Sequence, residues 1–151
     1  ASRGLGDVYK RQPYWLLVND DSYFAPGALA KIYDRADAST INFLSIFPKW
    51  SGFVLGEGAV LKAGLFDERF HPIYFEDNDY ERRLIAAGVQ AKFIHAVLHH
   101  DNSSTLNSGF QLQNSKTFQV NHLLFDKKVA ENDFSQGFFD LQVRRDNAWD
   151  R

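Results

Sequence analysis

An α/β fold, with a mixed and mostly parallel sheet flanked by helices, is what this sequence predicts on three observations. Short apolar runs of strand length alternate with stretches of helical periodicity along most of the chain. Pro and Gly stand at the joints between them, at Pro26, Pro48, Gly64 and Gly88. The 151 residues, 44% apolar and 24% charged, suit one globular domain with a real core. No internal repeat or linker divides it, so the expected domain runs over 13–128, with 129–151 a mixed C-terminal extension.

The elements follow in order. Residues 14–18 (YWLLV) form a continuous apolar run, the mark of a strand buried on both faces, and it stops at Asn19-Asp20-Asp21-Ser22. Pro26 sits where a first helical turn tolerates it, and Leu29, Ile32 and Tyr33 supply a helical stripe. Residues 40–47 (TINFLSIF) read as a strand ended by Pro48, and 51–55 as another. A short helix through Val60 and Leu61 closes at Gly64. After a loop over 66–76, a helix over 77–87 carries acids in its first turn and Gly88 after its last. Residues 90–99 read as one strand, 103–109 as a polar loop, and 110–128 as a long helix bearing Phe118, Leu124 and Phe125.

Residues 1–12 lack periodicity, and DVYKRQ at 7–12 resembles the translated end of a transposon adapter. The chain also contains no Met. The expectation is that 1–12 are a processing scar and that further sequence preceded the first strand.

A net charge of -2 argues against nucleic-acid binding, which needs a concentrated basic face. The absence of Cys excludes disulfides and thiolate metal sites and fits a reducing cytoplasm. No apolar run approaches the roughly 20 residues of a membrane span. Aromatics make up 15% of the chain, enough to serve both the core and the faces of sugar rings.

Three clusters could carry chemistry. Asn19-Asp20-Asp21 offers hard oxygen ligands at a strand's end, where α/β sheets bind ligands and where Mg²⁺ or Mn²⁺ is held. In an extended chain Asn19 and Asp21 would share one side and Asp20 the other; Asp and Asn also start turns and cap helices. The second cluster places Glu76, Asp77, Asp79 and Glu81 at a helix start behind the aromatic pair Tyr74-Phe75. The helix dipole accounts for part of that acidity, and a partly desolvated carboxylate there can act as a general base. Asp79 and Arg83, four apart, can pair on the helix surface. The third cluster is His99-His100, again at a strand end. An imidazole there could complete a metal site begun by Asp21, or only hydrogen-bond locally.

Taken together, NDDS-x₃-PG-x-L, GFVL, AVLKAGLFDERF, YFEDNDYERRLIAAG and HH-x₃-S resemble the inverting family-2 glycosyltransferases of GT-A fold, closest to rhamnosyltransferase-like members. The order and spacing of the motifs carry the resemblance over residues 15–125. It implies that Asp21 binds a divalent metal, Mn²⁺ or Mg²⁺, joined to the diphosphate of a nucleotide-diphospho-sugar donor. Asn19 stands where the family has its first Asp, and Asn19 and Asp20 would lie against the nucleotide. It implies Asp77 as the catalytic base with Glu76 positioning it, and Asp67 in a structural role. It makes His99 the metal-linked histidine, preferred over His100 because the trailing Ser then falls on Ser104, and it sets Trp50, Ser51 and Gly52 near the donor sugar. The implied acceptor is a saccharide or lipid-linked saccharide of bacterial surface polysaccharide. The implied location is the cytoplasm, at the inner face of the plasma membrane. The unit that grips the nucleotide in that family should precede Tyr14. Two other classes fit some of these residues: a non-catalytic carbohydrate-binding relative, and a phosphoryl-transfer domain with carboxylates around two metals.

Overall fold

The computed structural model describes residues 13–95, 98–100 and 111–134. Residues 1–12, the expected loop at 103–109 with Ser104, and 135–151 of the expected extension lie outside the described residues. The strands are β1 (Tyr14–Val18), β2 (Ser22–Phe24), β3 (Ile41–Phe43), β4 (Gly52–Gly56), β5 (Ala91–Phe93) and β6 (Leu98–His100). The helices are α1 (Ala28–Arg35), α2 (Glu57–Ala63), α3 (Glu76–Ala86) and α4 (Gln111–Glu131), with a 3₁₀ turn at Lys49–Ser51.

Four strands form a mixed sheet in the order β1-β4-β3-β5, flanked by helices, which is compatible with the expected α/β class. The expected parallel majority is not met among the described residues. The β1–β4 and β4–β3 pairs are antiparallel and only β3–β5 is parallel. The short return from β3 to β4 favours their antiparallel pairing, while β3 and β5 are separated by the α2–α3 crossover that a parallel pair needs.

Alternation along β3 and β4 divides the core into two layers. Ile41, Phe43, Phe53 and Leu55 face α2 and α3 and pack with Ala59, Ala63, Tyr80 and Leu84. Leu44 and Val54 face the other way, toward Ala28 and Ile32 of α1 and Ile94. In α1 the expected stripe is only partly used: Ile32 is buried, while Leu29 and Tyr33 are exposed. Strand β4 is buried along its whole length. Gly56 at its end is there for close approach, because a Cβ would stand 2.3 Å from the Ala38 carbonyl oxygen. Gly88 ends α3 at φ 64, the left-handed region expected after the last turn.

Three strand readings are corrected. Strand β1 is a half-buried edge strand with Leu16 exposed, because among the described residues it is paired on one side only. The strand expected over 40–47 stops at Phe43: the Leu44 N–H donates to Gly52 O, where β4 begins, and the ladder ends. The strand expected over 90–99 is two strands in two sheets. The Ile94 N–H donates to Phe43 O, the last acceptor of β3, and β6 goes on to pair antiparallel with β2 in a separate ribbon. Helix α4 continues through Glu131, across the boundary expected after 128.

Candidate active site

The Asn19-Asp20-Asp21 segment is a turn rather than extended chain, so strict alternation does not govern it. The Asn19 N–H donates to Ser51 O at 2.9 Å, and the Ser22 N–H to Asn19 O at 3.1 Å, which folds β2 back from β1. Asn19 and Asp20 are exposed and Asp21 is half-buried. Ribbon register then decides between the two histidines. Ser22 faces His100 and Tyr23 faces His99. His100 thus stands opposite the residue next to Asp21, at the turn end of the ribbon, and its Nε2 comes 3.1 Å from Asp21 Oδ1, both side chains being 16% exposed. His99 instead stacks on the exposed Tyr23 ring, centroids 4.9 Å apart. The expected partner of Asp21 was His99; the structure puts His100 there, and the reason is register.

That separation suits two functions. It is the length of an Asp–His hydrogen bond, and it matches the roughly 3.0 Å between neighbouring ligands of an octahedral ion held at about 2.1 Å. One carboxylate oxygen and one imidazole nitrogen are donors that Mn²⁺ accepts. Among the described residues no three Asp, Glu or His side chains gather into a fuller metal set.

The 49–52 segment links this turn to the acidic helix. Ser51 receives the Asn19 N–H, Gly52 pairs with Val18, and Lys49 bonds to Glu81 on α3. Trp50, expected near a donor sugar, is half-buried in an aromatic cluster with Phe43 and Phe53 at 5.1 Å each and Tyr80 at 6.4 Å. Its position is explained by packing, and it joins the sheet to the helix that carries Glu76 and Asp77.

Glu76 and Asp77 open α3, both half-buried. The residues before them are strained: Tyr74 and Phe75 have φ of 78 and 71, a left-handed conformation costing of the order of 1–3 kcal/mol for each non-Gly residue. Such a turn persists only when its surroundings hold it, and here they belong to α4. The Tyr74 and Phe75 rings pack on Phe118, and Phe75 also on His122 and Phe125. Asn121, buried on the same helix, donates from Nδ2 to Ile73 O at 2.7 Å and to Tyr74 O at 3.1 Å. Burial pushes the Glu76 carboxyl up, the N–H groups of Glu76 and Tyr74 hold it down and the Asp77 charge adds to the rise, for a net shift upward.

Behind this turn lies a buried ion network. Lys128 Nζ stands 2.6 Å from Asp79 Oδ1 and 3.0 Å from Asp67 Oδ2, all three side chains 2% exposed or less. Arg83 donates from Nε to Asp79 at 2.8 Å and from Nη1 to Ala63 O at 2.7 Å. Burial raises the Asp67 carboxyl, yet the Arg69 and Lys128 hydrogen bonds more than offset that and bring it to about 2. The Asp79–Arg83 pair is thus buried, where the sequence reading set it on the helix surface, and Asp67 has the structural role expected of it. Asn121 and Lys128 escaped the sequence reading. The signal was available: Phe118, Asn121, Phe125 and Lys128 follow one another at three- and four-residue steps, so two polar residues occupy an inward stripe.

No family model and no solved structure matches the chain. A galactofuranosyl glycosyltransferase of Leishmania donovani is 35% identical to it over 95 residues, 62% of this chain and 21% of that protein. The chain therefore spans about a fifth of the length of the curated relative to which it is similar.

Proposed function

We propose that this chain is the metal-and-acceptor part of an inverting glycosyltransferase of GT-A type, using a nucleotide-diphospho-sugar donor and a saccharide or lipid-linked acceptor. The observation that carries the reading is the 49–51 segment. It receives the Asn19 N–H on one side and bonds Glu81 on the other, so the Asp21–His100 pair and the acidic helix start flank one stretch of chain. The similarity to a glycosyltransferase supports the same class.

In this reading Asp77 accepts the acceptor hydroxyl proton as that oxygen bonds to the anomeric carbon. The bond from that carbon to the diphosphate oxygen breaks on the opposite face, which inverts the centre. Glu76 orients Asp77. Asp21 and His100 would hold Mn²⁺ or Mg²⁺, which when bound neutralises charge building on the leaving diphosphate. Asn19 and Asp20 lie on the nucleotide side and Trp50 and Gly52 behind the donor sugar. The proposed setting is cell-surface polysaccharide synthesis at the inner face of the membrane. Among the described residues no helix is long and apolar enough to cross a membrane.

The test is nucleoside diphosphate release by the complete gene product, with Mn²⁺ and a panel of nucleotide-diphospho-sugars that includes a galactofuranosyl donor. Asp77→Asn should lower kcat by about 10²–10⁴ with the fold unchanged by circular dichroism. Chelation of divalent ions should abolish turnover and Mn²⁺ restore it. Undiminished turnover in Asp77→Asn removes Asp77 from the mechanism.

A further inference from the structure

We propose that Asn121 is a positioning residue for the Glu76–Asp77 pair, acting through the main chain of the turn before it; this rests on the reading of Asp77 as the base. The geometry is specific. The two carbonyls that Asn121 Nδ2 binds, those of Ile73 and Tyr74, belong to the peptide planes on either side of the Tyr74 Cα. Fixing both planes fixes the φ and ψ of Tyr74, which is left-handed at φ 78. Phe75 follows at φ 71, and its carbonyl accepts the Asp79 N–H at 2.9 Å, the bond that starts α3. The direction in which α3 sets off, and with it the placement of its first two residues, therefore depends on one carboxamide.

The neighbouring contacts cannot substitute for it. Phe118, His122 and Phe125 hold the rings of Tyr74 and Phe75 by packing, which is not directional in the way two hydrogen bonds are. Asn121 is 1% exposed, so solvent does not replace a lost donor at those carbonyls. A leucine would fill its volume and offer no donor, and an aspartate would present oxygens to oxygens. A displacement of the base by about 1 Å is enough to slow a reaction by about 10²-fold.

The experiment uses the complete gene product and two readouts. Asn121→Leu should lower kcat by about tenfold or more, with the donor KM within about twofold, since the strand-end turn is untouched. The amide exchange of Asp79, read by NMR, should accelerate while that of Ala87 at the far end of α3 stays as it was. Adding Tyr74→Gly to Asn121→Leu should recover most of the lost kcat, because glycine takes the left-handed conformation without help. A residue that merely stabilised the fold would not be rescued by changing Tyr74. Should Asn121→Leu fail to fold, Asn121→Ala takes its place with the same expected directions. Wild-type kcat in the folded variant, or unchanged Asp79 exchange, overturns the proposal. If the unaltered protein transfers no sugar from any donor, the glycosyltransferase reading fails, and Asp79 exchange alone then decides whether Asn121 sets the turn.

Discussion

Asp21 meets His100 across a ribbon of two three-residue strands, whereas Asp77 stands on an eleven-residue helix that buried ions and an aromatic wall hold from behind. The first pair keeps some contact with water on both sides; the ions behind the second have almost none. The contrast fits the roles proposed for the two carboxylates. A carboxylate whose remaining partners arrive with a ligand is oriented by that ligand, and a light scaffold suffices. A base must be within hydrogen-bond reach of a hydroxyl that the protein itself has to aim, so rigidity must already be built in. Behind the proposed base the buried network desolvates four charges, a cost that favours a role in fixing geometry over one in raising stability.

The sharpest way to break this comparison is to remove the central cation. Lys128→Met keeps the length and apolar stem but leaves Asp67 and Asp79 buried without it. Loss of one partner from a buried pair costs about 3–5 kcal/mol, so the urea midpoint should fall steeply. A loss under about 1 kcal/mol would show that the network relaxes as readily as a surface pair, and the contrast would disappear.

A smaller effect comes from pH. The folded-state value for Asp67 is about 2 against an ordinary 3.8. A depressed carboxylate contributes stability that is full above its unfolded value and fades as pH falls through the folded one. The stability gap between wild type and Asp67→Asn should therefore be constant above about pH 5 and shrink between about pH 4 and 2, by on the order of 2 kcal/mol. A gap that stayed level down to pH 2 would mean that Asp67 is not held ionised by Arg69 and Lys128.

How much of this was legible in the sequence depended on how local each cause is. Strand β4, helix α2 with its Gly64 stop and helix α3 with Gly88 were readable because run length, caps and breakers act within a few residues. The split of 90–99 was not, because nothing inside that run says that β3 will offer its last acceptor at Phe43. His99 and His100 could not be told apart for the same reason. Which one meets Asp21 is set by pairing with β2, about 77 residues earlier: His100 stands opposite Ser22, beside Asp21, and one step of register would put His99 there. The Asp79–Arg83 pair was visible as an i,i+4 spacing, but its burial came from α4 packing over it. Asn121 and Lys128 look like solvent-facing residues of a polar helix until their spacing with Phe118 and Phe125 is counted.

The smallest expected effects lie in the ribbon, and they test the other half of the comparison. His100→Ala removes the contact with Asp21, but that carboxylate keeps a path to water and can be rehydrated, so the loss should be about 1 kcal/mol or less. His99→Ala removes a stack on an exposed Tyr23 ring, worth about 0.5 kcal/mol at such a site. Urea unfolding of the two variants beside Lys128→Met reads all three on one scale. Should His100→Ala cost as much as Lys128→Met, then Asp21 and His100 serve the fold as a lock between β2 and β6, and the light scaffold argued for the ligand-facing carboxylate is not there. A small cost leaves the pair available, because side chains that contribute little to holding the ribbon together are free to exchange their mutual contact for a shared ion.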